Sequence, residues 1–280
     1  MESLTLDAHA KLNLGLRVLG RRSDGYHEIS SLFQTIDLAD RLAFSTTSGS
    51  DDRVEMAPDG GVEPHANLVG RAISLVQDRV GPRSAVVVRI EKRIPIGAGL
   101  GGGSSDAAAT LVGLNRLWDL GLSLDDLHPL ALELGSDVPF FLQGGRRRVG
   151  GRGEQIDPRS TEPPAGDASY VLLVPPWSLG TADVYRTFDR LEPSRVISSP
   201  YPNDLEAAAL HLEPRLRQYR NWLNAADVAF GLSGSGPVYY AVLDDVDEAR
   251  RVARAAGRAL PGDVLTCRPT TGGHQVIHIG

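Results

Sequence analysis

Five glycines fall between positions 97 and 103 of PIGAGLGGGSSDAAATL (95–111), and two serines follow before the chain turns into good helix formers. Bare backbone at the mouth of a helix is chemistry for an anion. Glycines remove the Cβ atoms that would hold oxygens away from the amides, and the helix N-terminus offers unpaired N–H groups and a favourable dipole. Gly97, Gly99 and Gly102 satisfy G-x-G-x-x-G, the dinucleotide-binding spacing. That reading also needs a strand some 20 residues on that ends in an acid. GLSLDDLHPL (121–130) reads instead as a loop entering a helix. A Walker A loop needs Gly-Lys-Ser/Thr, and Gly103-Ser104 has no lysine. A protein-kinase loop needs HRD and DFG downstream, and the chain has neither. What remains is a loop whose amides, with the helix start, hold a polyphosphate. Ser104 or Ser105 is placed to cap that helix, and Asp106 is expected to cap or to face away from phosphate.

Three other stretches carry reactive groups. GLSGSGPVYY (231–240) is a second glycine–serine loop entering a strand, and an ordinary tight turn explains it equally well. GSDVPFFL (135–142) puts Asp137 two residues ahead of Pro139, where capping a helix is the plain reading. Tyr26-His27 follows Asp24-Gly25 and, taken alone, reads as a polar turn. Amine chemistry has two possible owners, because Lys11 and Lys92 are the only lysines.

Strands are expected at LTLDA and LNLGLRVLG, at 41–45, and at AVVVRI (85–90), with a helix over 67–80. Ala107, Leu111, Leu114 and Trp118 share one face of the helix after the glycine loop. The Gly-, Pro- and charge-rich stretch 152–167 reads as a domain junction. Beyond it, strands are expected at 170–174, 238–243, 264–268 and 275–279, and helices at 204–219 and 246–260. Strands and helices mixed in both halves predict two α+β domains, 1–155 and 156–280.

Composition narrows the function. With 41% hydrophobic and 23% charged residues the chain has the balance of a globular enzyme. A net charge of −6 gives no support to nucleic-acid binding, and Arg146–Arg148 is the one dense basic cluster. Cys267 is the only cysteine, so the chain has no internal disulfide and no CxxC motif. MESLTLDAHA reads as no signal peptide, and no apolar run reaches the ~18 residues of a membrane span. A cytoplasmic protein, monomer or homodimer, without nucleic-acid or membrane partners is the expectation.

Taken together the motifs resemble the GHMP superfamily of small-molecule kinases. Pro95–Ser105 is similar to its middle motif and Leu232–Pro237 (LSGSGP) to its closing motif. AKLNLGL (10–16), RRSDGYHEISSLFQTIDL (21–38), LGSDVPFFLQGG (134–145) and GRGEQI (151–156) resemble the branch that phosphorylates a cytidine-diphosphate alcohol. The resemblance implies two α+β domains, an N-terminal ATP-binding domain (ribosomal protein S5 domain 2-like) and a C-terminal ferredoxin-like one, with the site in the cleft between. It implies ATP and Mg²⁺, with the triphosphate on Pro95, Ile96, Gly97, Ala98, Gly99, Leu100, Gly101, Gly102, Gly103, Ser104 and Ser105. Lys11 and Asp137 become a catalytic pair with Asn13 beside them, Tyr26 and His27 read the cytidine, and Tyr185, in LGTADVY (179–185), stacks on the base. The arginines at 146–148 depart from the small residues expected after Gly145. Homoserine- and mevalonate-type kinases are the same-fold alternatives. A regulator that binds nucleotide without turnover is disfavoured by the presence of both Lys11 and Asp137.

Overall fold

The computed structural model describes residues 2–49, 51–58, 67–81, 83–157, 160, 168–191 and 200–280. Most of the junction expected at 152–167 therefore lies outside the described residues. The first half is organised by one long hairpin. β1 (Ser3–Arg21) and β2 (His27–Thr46) pair along nearly their whole length, joined by the Asp24-Gly25 turn. LTLDA and LNLGLRVLG, expected as two strands, are parts of β1. Register shifts at His9/Ala10 and Asn13/Leu16, with Gly15 at φ +88°, absorb the breaks in alternation without ending the strand.

β3 (Arg53–Ala57) and β4 (Val86–Glu91) extend the sheet on the β2 side, and β5 (Arg146–Gly150) with β6 (Gln155–Ile156) pairs to the other half of β2. β11 (His274–Ile279) pairs antiparallel to β1. The division at 155/156 thus needs correction at its far end, since the last strand completes the first sheet. Alternation along HQVIHI marked a strand, but it carried no information about which sheet would accept it.

Helices α1 (Leu68–Val80), α2 (Gly102–Leu117), α3 (Leu124–Leu134) and α4 (Val138–Gln143) cover one face of this sheet. Leu6, Phe44 and Val88 from the strands meet Ile73, Leu111 and Phe140 from the helices in one buried cluster. Local chemistry fixes two of the helix starts: the Asn67 side chain accepts from the Val69 N–H, and Ser123 and Asp126 form a reciprocal capping box.

The second half is a four-stranded antiparallel sheet in the order β10-β7-β9-β8, formed by β7 (Ser169–Val174), β8 (Ala229–Leu232), β9 (Tyr239–Leu243) and β10 (Asp263–Cys267). It carries α5 (Thr181–Phe188), α6 (Glu206–Leu212), α7 (Leu216–Ala225) and α8 (Val246–Ala259). The helix expected over 204–219 is two helices, because Pro214 lacks the N–H that would continue the first. Ala10, Leu12 and Ile36 of the hairpin pack with Tyr170, Leu172 and Tyr240 of the second sheet. This shared core holds the two walls of the cleft at a fixed spacing.

Candidate active site

β1 brings Lys11 and Asn13 to the cleft on alternating positions of a buried strand, so both side chains share a face. The Lys11 ammonium donates to Asn13 Oδ1 at 2.5 Å and to the Gly99 carbonyl at 3.2 Å, and lies 3.6 Å from Asp137 Oδ2. Asn13 is itself fixed, donating to Ser31 Oγ at 3.1 Å while Ser31 donates to the Gly15 carbonyl. Burial lowers the Lys11 pKa, and the Asp137 charge counters that fall. Asp137 stands at the N-cap position of α4 yet accepts no capping hydrogen bond. Its side chain keeps 29% exposure, so the carboxylate serves the cleft rather than the helix.

The glycine loop lines the same cleft, a space of about 860 Å³. Gly97, Gly99 and Gly101 have φ of +67°, +75° and +74°, where side chains are strained. At all three the close neighbour is the protein itself, and a Cβ on Gly97 would stand 3.0 Å from Ser178 Cβ. A Cβ on Gly99 would stand 2.5 Å from the Ser233 carbonyl oxygen, and one on Gly101 would stand 2.8 Å from the Phe141 ring. Gly103 differs, because a Cβ there meets nothing nearer than Leu68 at 3.9 Å. The helix starts one turn earlier than a serine cap requires: Gly101, in the left-handed region, is the N-cap and no side chain caps α2. The amides of Gly102, Gly103 and Ser104 are thus the helix's unpaired donors. Ser105 turns away, donating to the His9 carbonyl at 2.7 Å, and does not line the cleft. Pro95, Ile96, Ala98, Leu100 and Ser104 do line it.

Asp106 neither caps nor leaves the cleft. It accepts from the Lys92 ammonium at 2.7 Å, and Asp40 accepts from the same ammonium at 2.5 Å. Burial, with a push from Asp40, carries Asp106 up to about 7 despite Lys92. Burial works against the Lys92 charge as well, but the two carboxylates outweigh it and hold its pKa above the ordinary lysine value. No sequence signal marked this trio, since Asp40 lies in β2 and Lys92 just past the end of β4, with no motif to join them.

The second glycine–serine loop meets the first. Ser233 Oγ donates to the Gly99 carbonyl at 3.1 Å, and Asn203 donates to the Leu232 and Gly234 carbonyls. Tyr26 and His27 flank the start of β2, and both line the cleft. Tyr26 is 54% exposed with the Arg152 guanidinium 4.6 Å over its ring. His27 is buried, with Tyr185 of α5 stacked on it at 4.8 Å. Tyr185, expected to face the base, lines the cleft and also packs on the imidazole. Burial and the Asp137 charge push its hydroxyl up to about 12. Arg152 and Asp189 also line the site and were not singled out from the sequence. Neither residue type, alone in a loop or at a helix end, marks a ligand.

Comparison with known proteins identifies the fold and the family. The family model described as GHMP kinases N terminal domain matches residues 67–145, and that for GHMP kinases C terminal matches 187–262. A 4-diphosphocytidyl-2-C-methyl-D-erythritol kinase of Moorella thermoacetica is 38% identical over 289 residues, covering 95% of this chain and 99% of its own. The enzyme of that name from Pelotomaculum thermopropionicum is 39% identical over 270 residues, 89% and 92% of the two chains. A crystal structure of a 4-(cytidine 5'-diphospho)-2C-methyl-D-erythritol kinase superposes with a TM-score of 0.77 at 34% identity, covering 96% of this chain and all of the other. Homoserine kinase from Cytophaga hutchinsonii superposes with a TM-score of 0.78 at 18% identity over 99% and 98% of the chains, a likeness of fold. The identity and coverage of these relatives decide the matter: the chain belongs to the GHMP kinases and, within them, to the 4-diphosphocytidyl-2-C-methyl-D-erythritol kinases.

Proposed function

We propose that the protein transfers the γ-phosphoryl group of ATP to the 2-hydroxyl of 4-diphosphocytidyl-2-C-methyl-D-erythritol, giving the 2-phosphate and ADP in the non-mevalonate isoprenoid pathway. The observation that carries this reading is the Lys11–Asp137 pair, 3.6 Å apart, in one cleft with the open amides of α2. The substrate hydroxyl gives its proton to Asp137 as its oxygen bonds to the γ-phosphorus, and the bond to the ADP oxygen breaks. Lys11 pairs with the carboxylate and stands ready for the charge on the transferring group. Asn13 and Gly99 keep the ammonium in place.

The loop Pro95–Ser104 holds the triphosphate in this reading, with Ser105 bracing the helix against β1. Residues 1–155, completed by β11, supply the nucleotide half. They also carry Lys11, Asn13, Tyr26, His27 and Asp137, so the four-stranded half adds mainly α5 and the 232–237 loop. Among the described residues no three His, Cys, Asp or Glu side chains group to hold a metal. Mg²⁺ bound through phosphate oxygens needs only one or two protein carboxylates. Asp106, whose Oδ1 is buried without a partner, and Asp137 fit that need, and the ion would neutralise charge on the triphosphate.

A coupled assay of ADP release tests the reading. Turnover is expected with the cytidine-diphosphate alcohol and not with homoserine or mevalonate. Turnover of either of those in its place would move the chain to another GHMP activity.

A further inference from the structure

His27 is held from two sides by a single helix. Tyr185 and Asp189 are four residues apart, so both project from one face of α5 and its C-terminal end. Tyr185 covers the imidazole face, and Asp189 Oδ1 lies 2.7 Å from Nε2. Phe188 closes an edge of the ring at 6.2 Å, nearly perpendicular to it. Asp189 is the C-cap residue of α5. A carboxylate at that negative end of the helix dipole is electrostatically disfavoured, so helix stability does not account for it. A carboxylate accepts hydrogen bonds and cannot donate, so the proton must sit on Nε2. In the neutral ring Nδ1 is then a bare acceptor. It has no hydrogen-bond partner among the described residues and is not sealed from solvent, and the residue lines the cleft.

We propose that Asp189 is a positioning residue that makes the site select cytosine over uracil by fixing the tautomer of His27. This rests on the kinase reading above, in which His27 faces the pyrimidine. Cytosine carries an amine at C4, a donor that a bare Nδ1 accepts. Uracil carries a carbonyl there, and two acceptors would face each other. The discrimination therefore comes from a residue that need not touch the base. Free rotation or tautomer exchange of the imidazole would erase it, because the other tautomer presents a donor.

The test compares binding of CDP and UDP by calorimetry at pH 8, above the ordinary imidazole range. No phosphoryl transfer is involved, so failure here is separate from failure of the ADP-release assay. The wild type is expected to prefer CDP. Asp189→Ala should weaken CDP roughly tenfold, the scale of one lost neutral hydrogen bond, with UDP unchanged or tightened. Asp189→Glu should recover part of the preference, and ATP binding should be unaltered in both. A purely structural role for Asp189 would weaken CDP and UDP alike, and that result, or equal binding of both by the wild type, overturns the proposal. Nitrogen-15 shifts of His27 in the wild type give a readout that does not depend on any variant folding. The Nε2-protonated tautomer is expected, and the Nδ1-protonated one would sink the idea.

Discussion

The two lysines of this chain stand beside the same glycine loop and are treated in opposite ways. Lys11 has one carboxylate at 3.6 Å, and burial pulls its pKa down. Lys92 has two carboxylates at 2.5 and 2.7 Å, and they hold its pKa up. Asp40, fully buried, also accepts from the Arg93 and Ile94 amides, so the Lys92 cluster ties the end of β4 to α2. Lys11 is under-neutralised in a cleft and its partner is open to solvent. The same ammonium group thus serves as a poised charge in one place and as a rivet in the other. The difference lies in how many carboxylates close around it.

Removing the rivet should have the largest effect. Lys92→Met leaves Asp40 and Asp106 facing each other in a buried site, and losing one partner of a buried ion pair costs about 3–5 kcal/mol. Urea unfolding should show that loss, and a variant within 1 kcal/mol of wild type would mean the two carboxylates do not depend on Lys92. Removing the poised charge should appear in rate instead. Asp137→Asn is expected to lower turnover by at least ~100-fold with folding intact, since the side chain makes no capping bond. Lys11→Ala should do the same, and the double variant should cost little more than either single one. Additive losses would separate the two residues into different steps.

The smallest effect is a slope with pH. The folded-state pKa of Asp106 is raised from 3.8 to about 7. The folded protein therefore holds that proton more tightly than the unfolded chain, and its stability falls as pH rises across this interval. Asp106→Asn should flatten that decline when melting temperatures at pH 4 and pH 8 are compared. A decline identical to wild type would return Asp106 to ordinary carboxylate behaviour.

Residue order alone foretold the glycine loop and the helix it opens, because glycine spacing and helix-former composition are local signals. It misplaced the cap, because Gly101 can adopt the left-handed conformation that lets α2 begin before either serine. The approach of Lys11 to Asp137 was available only through resemblance, since β1 and α4 meet by tertiary packing that no spacing encodes. The plain reading of Tyr26-His27 as a polar turn failed for His27, which is buried as the first residue of β2. Its partner Asp189 lies in the other half of the chain, beyond the reach of any local pattern.

The ladder between β1 and β11 has a consequence for how the protein is made. On a ribosome, β1 emerges long before its neighbour on that edge. Until then the edge of β1 is an open row of backbone donors and acceptors, the kind of surface on which strands of other chains can pair. The whole second half must be synthesised while the first waits for its closing strand. A nascent chain stalled anywhere before His274 would carry residues 4–8 of β1 as an unprotected edge, a form for chaperones to hold rather than a working half-enzyme.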